Sequence, residues 1–122
     1  MLFFYLEPSG SVLFISVLFF LFLQSTDRVL FPIANNAIVV FSKSYCPYCT
    51  KAKNVLAKLD VNVFIIELDN EETGAAIQAY LETLTGQRTV PNIFISQKHI
   101  GGCDDLLKLE KSGQLSTLVA KI

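Results

Sequence analysis

Cys46 and Cys49 stand three residues apart in Val40-Phe41-Ser42-Lys43-Ser44-Tyr45-Cys46-Pro47-Tyr48-Cys49, the stretch of this chain best equipped for chemistry. An apolar run ends just before the pair and a helical pattern starts just after it. A cysteine at such a junction faces unpaired N–H groups and the positive end of the helix dipole, and both favour thiolate over thiol. The second cysteine, one turn into the helix, comes within reach of the first sulfur. Pro47 presets φ for the first helical position and gives up an N–H that would have no helical partner. Lys43 adds a positive charge nearby. Such a pair is equipped for thiol–disulfide exchange.

Two blander readings of the pair are weaker. A structural zinc site needs four ligands, and only Cys103 and His99 remain, neither in a second paired knuckle. An inert buried pair is at odds with Tyr45 and Tyr48, which flank the cysteines at a strand-to-helix corner and argue for an exposed site.

The elements that must position the pair follow from periodicity. Residues 37–41 are a continuous apolar run, as expected of a strand buried on both faces. Residues 47–59 are predicted helical, with Ala52, Val55, Leu56 and Leu59 on one face. Residues 61–68, centred on Phe64, Ile65 and Ile66, read as a second buried strand. Residues 71–85 read as a helix with Ile77, Tyr80, Leu81 and Leu84 on its apolar face and Gly86 as terminator. Residues 92–96 and 98–100 form a predicted hairpin around Gln97. After Gly101-Gly102, Asp104 or Asp105 can cap a helix through residue 112, and residues 114–121 give a last amphipathic turn or two.

At 122 residues the chain is one domain with at most an appendage. Its excess apolarity lies in residues 1–23, where Glu7 is the only charged side chain. With 10 Lys+Arg and 11 Asp+Glu in all, the remainder is charge-balanced, so no nucleic-acid partner is expected. Three cysteines are too few and too odd a set for a disulfide-stapled scaffold. The uninterrupted apolar stretch, residues 9–23, spans ~22 Å as a helix and falls short of a ~30 Å hydrocarbon core. It suits a signal core or a short anchor better than a comfortable span, although the first basic residue is Arg28 and Leu23-Gln24-Ser25-Thr26 is a poor cleavage site. The expected division is a hydrophobic signal- or anchor-like segment at 1–30 and a folded domain at 31–122. Membrane association through residues 1–23, with a secretory or membrane-anchored location, is expected if that segment acts as an address, and a cytoplasmic location otherwise.

Three blocks now carry a family resemblance: Phe41 to Cys49, Gly86-Gln87-Arg88-Thr89-Val90-Pro91-Asn92-Ile93-Phe94-Ile95, and Ile100-Gly101-Gly102-Cys103-Asp104-Asp105. In order and at these separations they resemble the dithiol glutaredoxins of the Cys-Pro-Tyr-Cys type, within the thioredoxin-like superfamily. The resemblance runs from about residue 37 to 122. It implies an α/β thioredoxin-like fold, a four-stranded mixed β-sheet flanked by helices, here preceded by the hydrophobic amino-terminal segment. It also implies a glutathione-disulfide oxidoreductase, a thioltransferase, that reduces protein disulfides and glutathione mixed disulfides. Glutathione is then the reductant and cosubstrate, with no tightly bound cofactor and no metal. The Val90-Pro91 bond is expected to be cis and to sit beside Cys46.

By the same resemblance, Lys43, Gln87 and Arg88 are candidates for the glycine carboxylate of glutathione, a charge-assisted contact. The Val90 backbone would pair with the extended cysteinyl part, as residues before proline favour β conformation. Gly102, Cys103 and Asp104 would take the γ-glutamyl carboxylate and ammonium at a helix start. Tyr48, Thr89 and Pro91 complete the contact set. The bland alternative makes Gly101-Gly102 only a turn and the aspartates only caps. Cys103 is expected to be a bystander or regulatory thiol, and His99 a surface side chain.

The implied mechanism has Cys46 attack and Cys49 resolve, in a chain expected to act as a monomer on glutathionylated or disulfide-bonded proteins. Two alternatives stay open. One is an iron–sulfur scaffold in which two chains and two glutathiones hold a cluster through Cys46, which the stiffening Pro47 disfavours. The other is a lumenal thioredoxin-like oxidase or isomerase. One departure from the family stands out: it normally supplies an amphipathic helix before the first strand, whereas residues 24–35 contain Pro32 and lack a clear helical stripe. Either residues 18–23 supply that helix or one face of the sheet is incompletely covered.

Overall fold

The computed structural model describes residues 11–122. All five residues of β1, Ile38–Ser42, are buried because the strand lies inside a four-stranded sheet. It pairs in parallel with β2 (Phe64–Glu67) and antiparallel with β3 (Asn92–Ile95), which pairs antiparallel with β4 (Lys98–Gly101), giving the order β2-β1-β3-β4. The helices are α1 (Ser11–Asn35), α2 (Pro47–Ala57), α3 (Gly74–Thr85), α4 (Cys103–Ser112) and α5 (Gln114–Ala120).

Because side chains alternate along a strand, β1 feeds two cores. Ile38 and Val40, with Ile93 and Ile95, pack against Ala52, Val55 and Leu56 of α2, Leu106 of α4 and Leu115 of α5. Val39 and Phe41, with Phe94 and Ile66, pack against Val29 and Ile33 of α1 and Ile77 and Leu81 of α3. This is the mixed sheet flanked by helices that the resemblance implied.

The first helix needs a correction. It exists, and it is drawn from residues 25–33, not from 18–23. Ser25, Val29, Pro32 and Ile33 are buried at i, i+4, i+7 and i+8, one continuous helical stripe. The stripe is hard to read in sequence because one member is polar and another is a helix-disfavouring proline whose ring packs as an apolar group. Asn35 Nδ2 donates to the Phe31 carbonyl at 2.8 Å and Asn36 Nδ2 to that of Pro32 at 2.9 Å, which satisfies orphan groups at the end of the helix. The expected division after residue 30 therefore falls inside α1. Val17, Leu18, Phe19, Phe20 and Leu23 are exposed, so they do not cover the sheet. Residues 1–10 of the expected anchor-like segment lie outside the described residues.

Two other expectations shift. β2 is an edge strand of four residues, and Phe64 and Ile65 are 42% and 41% exposed, where burial on both faces was expected. With neighbours on only one side, its outward face stays open. Helix α3 starts at Gly74, because Leu68–Asn70 forms a 3₁₀ turn first. A Cβ on Gly74 would lie 2.0 Å from the Leu68 carbonyl oxygen, so only glycine permits that close passage.

Candidate active site

The turn from β1 into α2 places Cys46 at the N-cap of α2 with extended backbone, φ −85° and ψ 121°, and Pro47 at the first helical position. The Cys46 N–H donates to the Lys43 carbonyl at 3.1 Å, which closes the turn. Cys46 is partly exposed, whereas Cys49 is fully buried; both are free thiols. Tyr45 and Tyr48 stand exposed on either side.

The two sulfurs are tuned in opposite directions. Desolvation pushes the Cys46 thiol up, but hydrogen bonds from the Cys49 N–H, the Cys49 thiol and the Tyr48 N–H, and last the charge of Lys43, outweigh it and leave Cys46 below the ordinary thiol value. Burial pushes Cys49 above that value, against hydrogen bonds from the Lys43 N–H and the Ser42 hydroxyl; the proximity of Cys46 raises it further. The Lys43 N–H lies 3.5 Å from Cys49 Sγ. The pair thus holds a thiolate-favouring sulfur toward solvent and a protonated one beneath it.

Gln87, Thr89, Val90 and Pro91 form one wall of a groove that Tyr48 of α2 shares. The Val90-Pro91 bond is cis. Gln87 Nε2 donates to both the Thr89 and Pro91 carbonyls at 2.9 Å, so its amide protons hold the loop and are not presented to a ligand. Asn92 is buried, and its Oδ1 lies 2.8 Å from His99 Nε2. His99 is therefore exposed yet tied down, with its ring centroid 5.1 Å from that of Phe94. Partial desolvation of the ring on its inner side lowers its pKa, with Asp105 opposing. Sequence reasoning missed this tie; its only signal was that the two residues occupy facing strands of a hairpin.

At the start of α4, Asp105 Oδ2 accepts the Gly102 N–H at 2.9 Å, which makes Asp105 the cap and leaves Asp104 free of that task. Gly101 takes φ +121°, a conformation that favours glycine. Cys103 is buried in the α2/α4 core, and desolvation first of all pushes its thiol up.

Tyr48, Gln87, Thr89, Val90, Pro91, Gly102, Cys103 and Asp104 line one groove of about 490 Å³, together with Asp105, which was expected only as a cap. Two expected residues are not on that wall. Arg88 points to the surface and pairs with Glu82 at 2.9 Å; Lys43 belongs to the cysteine turn. A larger groove of about 640 Å³, between α1 and the open face of β2, carries no thiol. Among the described residues no group of three or more His, Cys, Asp or Glu side chains could hold a metal ion.

Known proteins resemble this chain in sequence and in fold. A family model described as glutaredoxin matches residues 38–100. Glutaredoxin-1 of Rhizophagus irregularis is 52% identical over 99 residues, covering 81% of this chain and 98% of its own. A glutaredoxin of Ricinus communis is 51% identical over 89 residues, covering 73% and 87%. Among solved structures, a buckwheat glutaredoxin–glutathione complex superposes with a TM-score of 0.80 at 42% identity, covering 83% of this chain and 92% of that one.

Proposed function

The chain belongs to the glutaredoxin family of glutathione-dependent thiol–disulfide oxidoreductases, and from that premise we propose that it works by the dithiol route through Cys46 and Cys49. The opposed tuning of the two sulfurs carries this reading. With a glutathionylated protein, the Cys46 thiolate attacks the glutathione sulfur; the protein leaves as thiolate and takes a proton from water. A second glutathione thiolate then attacks the glutathione held on Cys46, releasing glutathione disulfide and restoring the Cys46 thiolate. With a protein disulfide, Cys46 forms a mixed disulfide with one protein sulfur, and the other protein sulfur leaves. Cys49 gives up its proton and attacks Cys46, forming the Cys46–Cys49 disulfide and releasing the second protein sulfur. Two glutathiones reduce that bond and leave as glutathione disulfide.

Glutathione is proposed to lie in the groove beside Pro91. The Val90 backbone would pair with its cysteinyl unit, and Asp104 would face its ammonium. The Cys103 and Asp104 N–H groups would meet the γ-glutamyl carboxylate, since the Gly102 N–H is already given to Asp105. Lys43, close enough to act on the Cys46 charge, is the cation proposed for the glycine carboxylate; Gln87 shapes the wall. One chain holds both sulfurs, and we read the enzyme as a monomer.

The test is a pair of substitutions assayed on two substrates. Cys46→Ser should abolish both reactions. Cys49→Ser should keep deglutathionylation and lose protein-disulfide reduction by an order of magnitude or more. Equal loss of both activities in Cys49→Ser overturns the division of labour.

A further inference from the structure

Only residues 36 and 37 join α1 to β1, so the two elements run antiparallel: Asn35 lies at the Ile38 end of the strand, and tracing α1 backwards leads toward the Ser42 end, which carries Cys46. Two contacts fix this direction. Gln97, in the turn between β3 and β4, donates to the Ala34 carbonyl at 3.2 Å. At the other end Arg28 pairs with Glu71, which follows the carboxyl end of β2. Ten helical residues rise ~15 Å and a five-residue strand covers ~16 Å, so Ser25 is level with Ser42. Among the described side chains, those amino-terminal to Ser25 are exposed and project past the sheet at the thiol end.

Val17, Leu18, Phe19 and Phe20 are consecutive and all more than half exposed. At ~100° per residue they point to every side of the helix and leave no polar face. A helix that docks in a protein groove needs one apolar stripe; one apolar all round, standing clear of its own fold, matches hydrocarbon. The sequence from Ser11 to Leu23 holds no charged residue, and Gln24, Ser25, Thr26, Asp27 and Arg28 then supply an abrupt polar boundary.

We propose that the amino-terminal half of α1 is immersed in a lipid bilayer and turns the Cys46 end of the domain toward the membrane surface, so that disulfides and glutathione mixed disulfides at that surface are its preferred substrates. The substrate preference rests on the thioltransferase reading above; the immersion does not.

The full-length chain is mixed with phosphatidylcholine vesicles, floated on a density gradient, and assayed on a glutathione mixed disulfide formed with a lipid-tethered thiol and on the same disulfide in water. A Leu18→Lys/Phe20→Lys chain is the control, since both residues lie outside core and site. The full-length chain should float and react at least tenfold faster with the tethered substrate; the control should stay in the soluble fraction and lose that preference while matching the soluble rate. Failure to float overturns the proposal, as does flotation without a tethered-substrate preference. A dimer in vesicle-free buffer that the lysines dissolve, with no flotation, would assign the helix to a second copy instead. Loss of the soluble reaction in both chains would strike the thioltransferase reading, a separate result.

Discussion

Asp69 accepts the backbone N–H of Ser44 at 2.9 Å and also its hydroxyl, which clamps the turn leading into Cys46 to the carboxyl end of β2. Those two hydrogen bonds, the hydroxyl first, hold the Asp69 carboxyl below the usual carboxylate range. Asp69 touches no sulfur, so its part is to position the turn that carries one. Asp69→Ala should speed hydrogen exchange at the Ser44 amide and lower kcat/KM several-fold, while Asp69→Asn, which keeps an acceptor, should lie between it and the parent. Because the folded carboxyl titrates low, the clamp is intact above ~pH 4 and opens only as pH falls through that lowered value. Unchanged exchange at Ser44 in Asp69→Ala would dismiss the clamp.

The reaction rate should rise with pH as the Cys46 thiolate forms, with a midpoint below the ordinary thiol value. Lys43 is the smallest of the influences that lower it, after the hydrogen bonds at the head of α2. Lys43→Gln should therefore move the midpoint only slightly upward. Iodoacetamide alkylation of Cys46 across pH measures this directly. A large displacement would transfer the main role from the helix N–H groups to the lysine.

Asp104 lines the groove and is not the residue that caps α4. Asp104→Lys should raise KM for glutathione about fivefold, about 1 kcal/mol, the upper end for an exposed ion pair. The rate at saturation should change little, because the contact proposed for Asp104 is to the ammonium of glutathione and not to its sulfur. Steady-state kinetics with varied glutathione decides it, and an unchanged KM would remove Asp104 from the binding set.

The strands and helices around the site were legible because their buried positions are aliphatic and periodic: Ala52, Val55 and Leu56 mark the inner face of α2, and residues 38–41 mark a two-sided strand. The cysteine corner was legible for a related reason, since a helix N-terminus leaves a recognisable change of pattern. Gln87 and His99 were not. Each makes its contacts through a loop or across a hairpin, to the Thr89 and Pro91 carbonyls and to Asn92, and such pairings depend on where the chain returns in space. Asp105 escaped notice as a groove residue because a cap and a wall residue look alike in sequence.

The first helix was the hardest element to read, and it yields a sharp contrast. Val29 is fully buried between α1 and the sheet, whereas Phe20, nine residues earlier on the same helix, is 59% exposed. Val29→Ala removes two buried methyl groups and leaves a cavity, at a cost of about 2 kcal/mol. In a domain of this size that lowers Tm by roughly 8–16 °C. Phe20→Ala removes a larger side chain but no packing, so Tm should stay within about a degree. If residues 18–23 did cover the sheet, the order would reverse, with Phe20→Ala the damaging change. Thermal melts of the two full-length variants, followed by far-ultraviolet circular dichroism in detergent to keep the apolar half of α1 dispersed, separate the two arrangements.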